Sequence, residues 1–147
     1  MVKKLVKSTG EDLPILAEIY SAEFSKPPYN EIWTREKAMS KMKFFKEFND
    51  LYSIFSDEKL VGFIAIDPNF MCPGEVAFGE EMAIESEYQN QGIGTWVFGE
   101  IFKMYKERGF KKFLGITDVE SRAYQLYKKL GILPSNKDIL IEKELNN

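Results

Sequence analysis

Apolar and polar positions along the chain form an ordered series of strand-like and helix-like patterns. Residues 3–8 alternate between polar and apolar, which predicts a short edge strand. Apolar residues three and four positions apart then predict two helices: one begins after Ser8-Thr9 and stops before Pro27-Pro28, and the other has Thr34 as its N-cap. Further strands are predicted over 51–55, 60–66, 75–84, 112–117 and 139–141, and further helices over 95–108 and 121–130.

This order of elements predicts one layered domain. A sheet whose strands are interrupted by helices can bury both of its faces, so we expect an α/β (α+β) fold with a mixed sheet and helices on both sides. The chain has 147 residues, close to the commonest size of a single domain, and 14 % of them are aromatic. Residues 1–147 are therefore expected to form a single domain with a substantial core.

Composition narrows the chemistry. The chain has no histidine, which excludes a Ser-His-Asp triad, a Cys-His dyad and a histidine-ligated metal, and we expect no metal site. A single cysteine, Cys72, permits no internal disulfide and favours a reducing, cytoplasmic location. The net charge is −3, whereas proteins that bind nucleic acid usually carry an excess of positive charge. No apolar run approaches the length of a membrane span, so neither nucleic acid nor membrane is an expected partner.

A glycine-containing turn over residues 89–94 lies between a predicted strand and a strong predicted helix. Gly92 and Gly94 remove two side chains where the helix begins, which lets an anion approach the backbone N–H groups at the positive end of the helix dipole. Val97 occupies the third glycine position of a dinucleotide-binding motif, and Thr95 the lysine position of a P-loop. On two glycines alone, a tight turn that binds no ligand is equally compatible.

Two segments in this region carry a family resemblance. Residues 87–94, EYQNQGIG, resemble the Arg/Gln-x-x-Gly-x-Gly/Ala signature of the GNAT superfamily of acyl-CoA-dependent N-acyltransferases. Residues 123–132, AYQLYKKLGI, resemble the closing helix of that superfamily, Ala-x-x-Leu-Tyr-x-x-x-Gly-Phe. Two positions depart from the pattern: Glu120 stands where many relatives have Asn, and Ile132 replaces an aromatic residue. The resemblance implies a mostly antiparallel sheet.

The resemblance also implies acetyl-CoA as a cosubstrate whose pyrophosphate is bound by backbone N–H groups of the turn. Gln89 replaces the more common Arg and offers a hydrogen bond without a charge. It places Arg122, Lys128 and Lys129 where a 3′-phosphate would be met, although each of them alone is also compatible with a solvated helix face. The full set of expected cofactor-binding residues is Met82, Ala83, Ile84, Gln89, Asn90, Gln91, Gly92, Ile93, Gly94, Thr95, Arg122 and Tyr124.

Three residues are candidates for proton transfer. Tyr127 matches the superfamily's general-acid position, although a tyrosine of the core would show the same spacing. Acyl transfer to an amine also requires a base, and we expect Glu80 to act through a water molecule, with Glu81 as second choice. Strand alternation predicts that these two lie on opposite faces, Glu80 with Met82 and Ile84. Either acid is also compatible with an exposed edge position.

The distribution of charge along the chain favours a cationic acceptor. No lysine or arginine occurs between Lys59 and Lys103, a stretch that holds seven acidic residues and would favour a cationic amine. The loop over residues 26–33 brings Tyr29, Glu31 and Trp33, which suit an ammonium group through cation–π and ionic contacts. The same rings would equally serve to fix the loop to the core.

These observations lead to an N-acetyltransferase that uses a small-molecule or peptidyl amine by direct attack in a ternary complex. Cys72, in a proline-flanked loop without histidine, is expected to be inert. Two alternatives stay open: a non-catalytic acyl-CoA-binding sensor or interaction module, and transfer of a longer acyl group. Exposed rings and the final predicted strand favour a homodimer.

Overall fold

The computed structural model describes residues 1–146, which form five strands and four helices. The strands are β1 Lys3–Lys7, β2 Asp50–Ser56, β3 Lys59–Asp67, β4 Val76–Ile84 and β5 Lys112–Gly115. The helices are α1 Leu13–Phe24, α2 Arg35–Phe48, α3 Ile93–Glu107 and α4 Arg122–Lys129, and a 3₁₀ turn covers Ser86–Tyr88. None of the helices formed by these 146 residues has the length and apolar character to cross a membrane.

The five strands form one sheet in the order β1-β2-β3-β4-β5. Strands β1 to β4 pair with one another antiparallel, and β5 pairs parallel with β4, which confirms the expected mixed, mostly antiparallel sheet. The parallel pairing runs only from Val76 opposite Lys112 to Gly79 opposite Gly115. Beyond Gly79, β4 pairs with β3 alone in the part of the chain that the structure describes, so the sheet opens at this end.

Helices cover both faces of the sheet, as the order of elements predicts. Helices α1 and α2 pack on one face around buried side chains such as Leu16, Met42 and Phe63, while α3 packs on the other around Val97 and Ile101. Helix α4 joins the α3 side through partly buried residues. Each face of the sheet therefore has a hydrophobic core of its own.

The pairing of β3 with β4 shifts register in the middle of the sheet. Ala65 lies opposite Glu81 and Ile66 lies opposite Gly79, so Glu80 is an extra residue on β4 and forms a β-bulge. A bulge interrupts the strict alternation of side chains between the two faces.

The bulge corrects the predicted placement of the two acids. In a regular strand, residues an odd number of positions apart face opposite sides of the sheet. Ala77 and Met82 are such a pair, yet both pack in the core cluster on the α3 side. Simple alternation is therefore lost at the bulge, and Glu80 and Glu81 both face the α1/α2 side. The prediction that they lie on opposite faces, with Glu80 on the face of Met82 and Ile84, is wrong because it assumed an unbroken strand.

Other differences concern the ends of elements. Residues 139–141 form no strand, and Ile139, Leu140 and Ile141 are exposed, so the predicted final strand is wrong. Their apolar pattern lacks the neighbouring strand that a β-strand requires, since β5 pairs only with β4 among the described residues. Helix α3 begins two residues before its predicted start at Thr95, and β5 ends at Gly115.

Candidate active site

A cleft of about 570 Å³ opens where β4 diverges from β5. Its walls are the end of β4, the turn before α3, the first turn of α3, helix α4 and the loop after α1. The expected site residues that line it are Tyr29, Met82, Ala83, Ile84, Gln89, Asn90, Gly92, Ile93, Gly94, Thr95, Arg122 and Tyr127. Two expected cofactor-binding residues lie outside the lining: the Gln91 side chain donates to the Glu87 carbonyl (2.9 Å), and the Tyr124 ring contacts Lys128.

The turn at the start of α3 presents backbone donors to the cleft. Gly92 has φ +81° and is the N-cap, a left-handed conformation that favours glycine. The first helical bond runs from the Trp96 N–H to the Gly92 carbonyl at 3.0 Å. The N–H groups of Ile93, Gly94 and Thr95 therefore precede the helical hydrogen-bond ladder and lie at the positive end of the helix dipole. This arrangement suits the oxygens of a phosphate group.

Gly94 also lets two elements approach each other. A Cβ atom at this position would lie 2.9 Å from Leu126 Cδ2 on α4 and 3.5 Å from Met82 Cε on β4. Any side chain here would press on the cleft wall as well as on a bound group. The glycine thus keeps the floor of the cleft open where α3, α4 and β4 meet.

The Gln89 side chain holds the turn in place. Its Nε2 donates to the Ile84 carbonyl at 2.7 Å and to Glu23 Oε1 at 3.0 Å. Glu23 also accepts from the Ser86 hydroxyl at 3.0 Å and pairs with Lys26 at 3.0 Å. Gln89 therefore links the turn to β4 and to the end of α1. Sequence reasoning identified Gln89 from its motif but missed Glu23, which has no signal along the chain.

Three cationic side chains line the cleft: Lys26 from the loop after α1, and Arg122 and Lys129 from α4. Lys128 lies outside it, with its Nζ 4.7 Å from the centre of the Tyr124 ring. A cleft with a helix N-terminus on one side and cations on another favours a ligand with several negative charges.

Tyr127 lies on the α4 wall of this cleft. Its ring meets the Phe98 ring edge-on, with 5.4 Å between centroids. Burial raises the pKa of Tyr127 to about 12, and the charges of Tyr29 and Glu81 act in the same direction. The phenol is therefore protonated at neutral pH and can act as a donor of a proton or a hydrogen bond.

Glu81 lies on β4 behind the cleft lining. Its Oε1 accepts a hydrogen bond from the Tyr20 hydroxyl at 3.3 Å. Burial raises the pKa of Glu81 to about 7, against the opposing charge of Lys41. A carboxyl group with this pKa can accept and release a proton at neutral pH.

Glu80 has a raised pKa as well, through burial first and the charge of Asp67 second, with Lys41 opposing. Lys41 belongs to α2 and acts on both Glu80 and Glu81, as expected when both acids face the α1/α2 side. Neither acid lines the cleft itself. Glu81, however, acts on the pKa of both Tyr29 and Tyr127, which do.

The loop between α1 and α2 brings its aromatic and acidic residues to the same region. Trp33 Nε1 donates to Glu31 Oε1 at 3.1 Å, and the Trp33 ring meets the Tyr20 ring edge-on at 4.5 Å. Tyr29 packs on Phe24 at 4.8 Å and lines the cleft, whereas Glu31 and Trp33 lie beyond its lining. The rings thus fix the loop to the core.

Acidic groups surround Tyr29. Burial raises the pKa of Tyr29, and the charges of Asp118, Glu81 and Glu31 act in the same direction, against a hydrogen bond with Ser121. Asp118 precedes α4 and was missed by sequence reasoning, because only the fold brings it to the loop. An accumulation of negative charge beside aromatic rings favours a cationic group.

Known proteins share this architecture. A possible acetyltransferase from Clostridium difficile 630 superposes with a TM-score of 0.80 at 12 % identity, covering 99 % of this chain and 100 % of that chain. A ribosomal-protein-alanine N-acetyltransferase from Brucella melitensis biovar Abortus 2308 gives 0.75 at 13 % identity, over 97 % and 99 % of the two chains. The aminoglycoside N-acetyltransferase AAC(6′)-Iy, in complex with CoA, gives 0.73 at 12 % identity, over 97 % and 95 %.

At these identities the likeness is one of fold. A search of curated protein sequences gave no significant match. The sequence itself matches the profile of the Acetyltransferase (GNAT) family over residues 13–132, which is most of the chain and includes both glycine turn and closing helix. This chain therefore belongs to the GNAT acetyltransferase family.

Proposed function

We propose that this protein transfers the acetyl group of acetyl-CoA to a primary amine. The observation that carries the proposal is that one cleft is lined by both the start of α3, with its free backbone donors, and Tyr127, whose pKa responds to the nearby charge of Glu81. Phosphate-binding geometry, a proton donor and a proton acceptor thus lie within one site.

The cleft fits acetyl-CoA in its chemistry. The N–H groups of residues 93–95 would hold the pyrophosphate, and Arg122 and Lys129 would meet a further phosphate. The absence of a side chain at Gly94 leaves room that a Cβ would take. When bound, acetyl-CoA supplies an activated acetyl thioester.

The residues of the chain then divide the proton transfers. Glu81 accepts the proton of the acceptor ammonium group, directly or through a water molecule, so that the neutral amine attacks. We assign this role to Glu81 ahead of Glu80 because of its contact with Tyr20 and its effect on Tyr127. The Tyr127 hydroxyl supplies a proton to the departing sulfur, and it regains one from the attacking nitrogen, which loses its second proton as the amide forms. The amine attacks the thioester directly, without a covalent acyl-enzyme. The one cysteine, Cys72, is exposed, lies outside the cleft and is hydrogen-bonded to Glu75.

The acceptor is a cationic amine. Glu31, Glu81 and Asp118 act together on Tyr29 at the cleft wall, which would attract an ammonium group. The names of the structural neighbours include aminoglycoside and ribosomal-protein-alanine N-acetyltransferases. A small polycationic amine and a peptidyl amine both fit this charge pattern.

Calorimetric titration with acetyl-CoA tests the cofactor site. Thr95→Glu places a negative charge in the first turn of α3, where an acidic residue favours the helix but repels a phosphate. Gly99→Glu is the matched control, because it adds the same charge to the same helix at an exposed position with no atom within 4 Å of the new Cβ.

We expect the native chain and Gly99→Glu to bind acetyl-CoA and Thr95→Glu to lose at least tenfold in affinity, about 1.4 kcal/mol. Release of free CoA in the presence of an amine panel then tests transfer. Equal binding by Thr95→Glu would remove the turn from the cofactor site. Binding without release of CoA on any amine would favour a non-catalytic sensor.

A further inference from the structure

We propose that Tyr20 is a positioning residue for the Glu81 carboxylate. Its hydroxyl engages one carboxylate oxygen and leaves the other to accept the proton of the acceptor amine. This inference rests on the proposed function, because it assigns a helper to the base of the transfer reaction. The amine loses one proton and Glu81 gains it; Tyr20 keeps its own proton throughout.

The packing around Tyr20 fixes its hydroxyl. The ring is 1 % exposed and lies against Phe24 at 4.7 Å, Trp33 at 4.5 Å and Phe63 at 5.9 Å between centroids. A ring held on three sides by other rings cannot change rotamer without disturbing the core. Its hydroxyl therefore remains at Glu81 Oε1.

The hydroxyl is also a permanent donor. Burial raises the pKa of Tyr20 far above its usual range, and the charges of Glu81 and Glu31 add to the effect. At neutral pH the phenol keeps its proton. An ionised Glu81 carboxylate has no proton to donate, so it accepts the hydrogen bond from Tyr20. Trp33 couples this pair to the acceptor loop, because it packs on Tyr20 and donates to Glu31.

Several charged or titratable groups face Glu81 from the elements packed against it. They are Tyr20 on α1, Lys41 on α2, Tyr29 and Glu31 on the loop between them, Glu80 on β4 and Tyr127 on α4. Lys41 and the Tyr20 hydroxyl favour the carboxylate, whereas burial, Glu31 and Glu80 favour the protonated form. Among the groups that favour the carboxylate, only Tyr20 makes a hydrogen bond to it.

The test is Tyr20→Phe, which keeps the ring and removes the hydroxyl. Loss of the hydrogen bond destabilises the carboxylate, so the acidic limb of the kcat/KM profile should move to higher pH by about one unit. Activity should fall more at pH 6 than at pH 9, where Glu81 is ionised in both proteins. The pKa of Glu81, read directly from its side-chain ¹³C resonance in the free protein, should rise by the same amount. Glu81→Gln identifies that resonance by removing it.

Tyr105→Phe is the matched control. Tyr105 is another buried tyrosine, and its hydroxyl donates to the Asp50 carboxylate at 2.5 Å on the α3 side of the sheet. Its loss should lower stability and leave both the Glu81 resonance and the acidic limb in place. A similar limb shift in Tyr105→Phe would mean that general loosening, and not Tyr20, moves the profile.

The outcomes separate the two proposals. An unchanged Glu81 resonance in Tyr20→Phe overturns the inference, and so does a shifted resonance with an unmoved acidic limb. A shifted resonance in a protein that acetylates no amine supports the pairing of Tyr20 with Glu81 and overturns the proposed function.

Discussion

Gly94 faces Leu126 across the junction of α3 and α4 so closely that an added Cβ would lie 2.9 Å from Leu126 Cδ2. Any side chain at the second glycine of the turn would therefore make Leu126 shift, before any ligand is considered. Gly92, two residues earlier, has no atom within 4 Å of a built Cβ and is required by its φ of +81°. Glycine is favoured at these two positions of one motif for different physical reasons.

Gly94→Ala should be less favourable than Gly99→Ala in the same helix, because the Leu126 side chain must shift to make room for the new methyl group. Shortening the opposing residue by Leu126→Ala removes the clash, so the double variant should lose less than the sum of the two single variants. Urea unfolding of the four proteins measures this coupling. Strict additivity would show that the two residues do not compete for the same space.

Gly92→Ala should cost about 1–2 kcal/mol, because alanine tolerates the left-handed conformation poorly. Gly92→Asn should cost less, since asparagine enters that region more readily, as Asn90 does with φ +61° in the same turn. The control is Gly99→Ala, an open helical position that should gain about 1 kcal/mol. Thermal or urea unfolding tests the order; equal losses for alanine and asparagine would contradict it.

Tyr127→Phe should lower kcat by about 10²-fold and leave the KM for acetyl-CoA nearly unchanged. The ring that packs on Phe98 is kept, so the loss reports the hydroxyl. Steady-state kinetics on an accepted amine provide the measurement, with Tyr52→Phe as a control outside the cleft. A change in KM alone would indicate that Tyr127 binds substrate without assisting the departure of the sulfur.

Activity should rise with pH along a limb with an apparent pKa of about 7, because Glu81 must be ionised to accept a proton. Glu81→Gln should remove this limb together with most of kcat, whereas the limb should persist in Glu80→Gln. The reverse result would assign the base to Glu80.

The same raised pKa makes a stability prediction of known sign. The folded protein holds the Glu81 proton up to a pKa of about 7, whereas the unfolded chain releases it near its ordinary value. The stabilising contribution of protonated Glu81 is complete below the unfolded pKa and is lost as pH rises through the folded one. Over this window the loss is about 3 kcal/mol. Relative to the native chain, Glu81→Gln should therefore gain stability between pH 4 and pH 8, as urea unfolding at several pH values would show.

Cys72 should react slowly with alkylating agents although it is exposed. Its Sγ donates to Glu75 Oε2 at 2.7 Å, and this hydrogen bond raises the pKa of the thiol, so little thiolate is present at neutral pH. Glu75→Gln should speed alkylation, and modification should leave transfer rates unchanged. Loss of activity on alkylation would instead implicate the β3–β4 loop in the site.

Local patterns were sufficient to predict local structure that lies within one short segment. The turn over residues 89–95 combines two glycines with a strong helix behind it, and both features are readable along the chain. The N-cap of α2 is similar: the Thr34 hydroxyl accepts from the Lys37 N–H at 3.1 Å, as predicted. The homodimer remains a prediction.

Features that depend on a distant partner were not readable. The bulge at Glu80 arises from the register with β3, so the sequence of β4 alone does not predict it. Tyr20 fits its place on the apolar face of α1, and only the fold brings its hydroxyl to Glu81, 61 positions later. The apolar pattern of residues 139–141 would suit a strand, but the strand also needs a neighbour, which a local pattern does not supply.

The bulge on β4 makes the length of that strand part of the chemistry. Deleting one residue at position 80 would restore regular pairing with β3 without changing which side of the sheet Glu81 faces, while the segment before it would be drawn forward against β5. An insertion on β3 opposite the bulge would also restore regular pairing, but it would leave the length of β4 unchanged. A change in the length of β4 at the bulge would therefore change where β4 and β5 part, and so the mouth of the cleft.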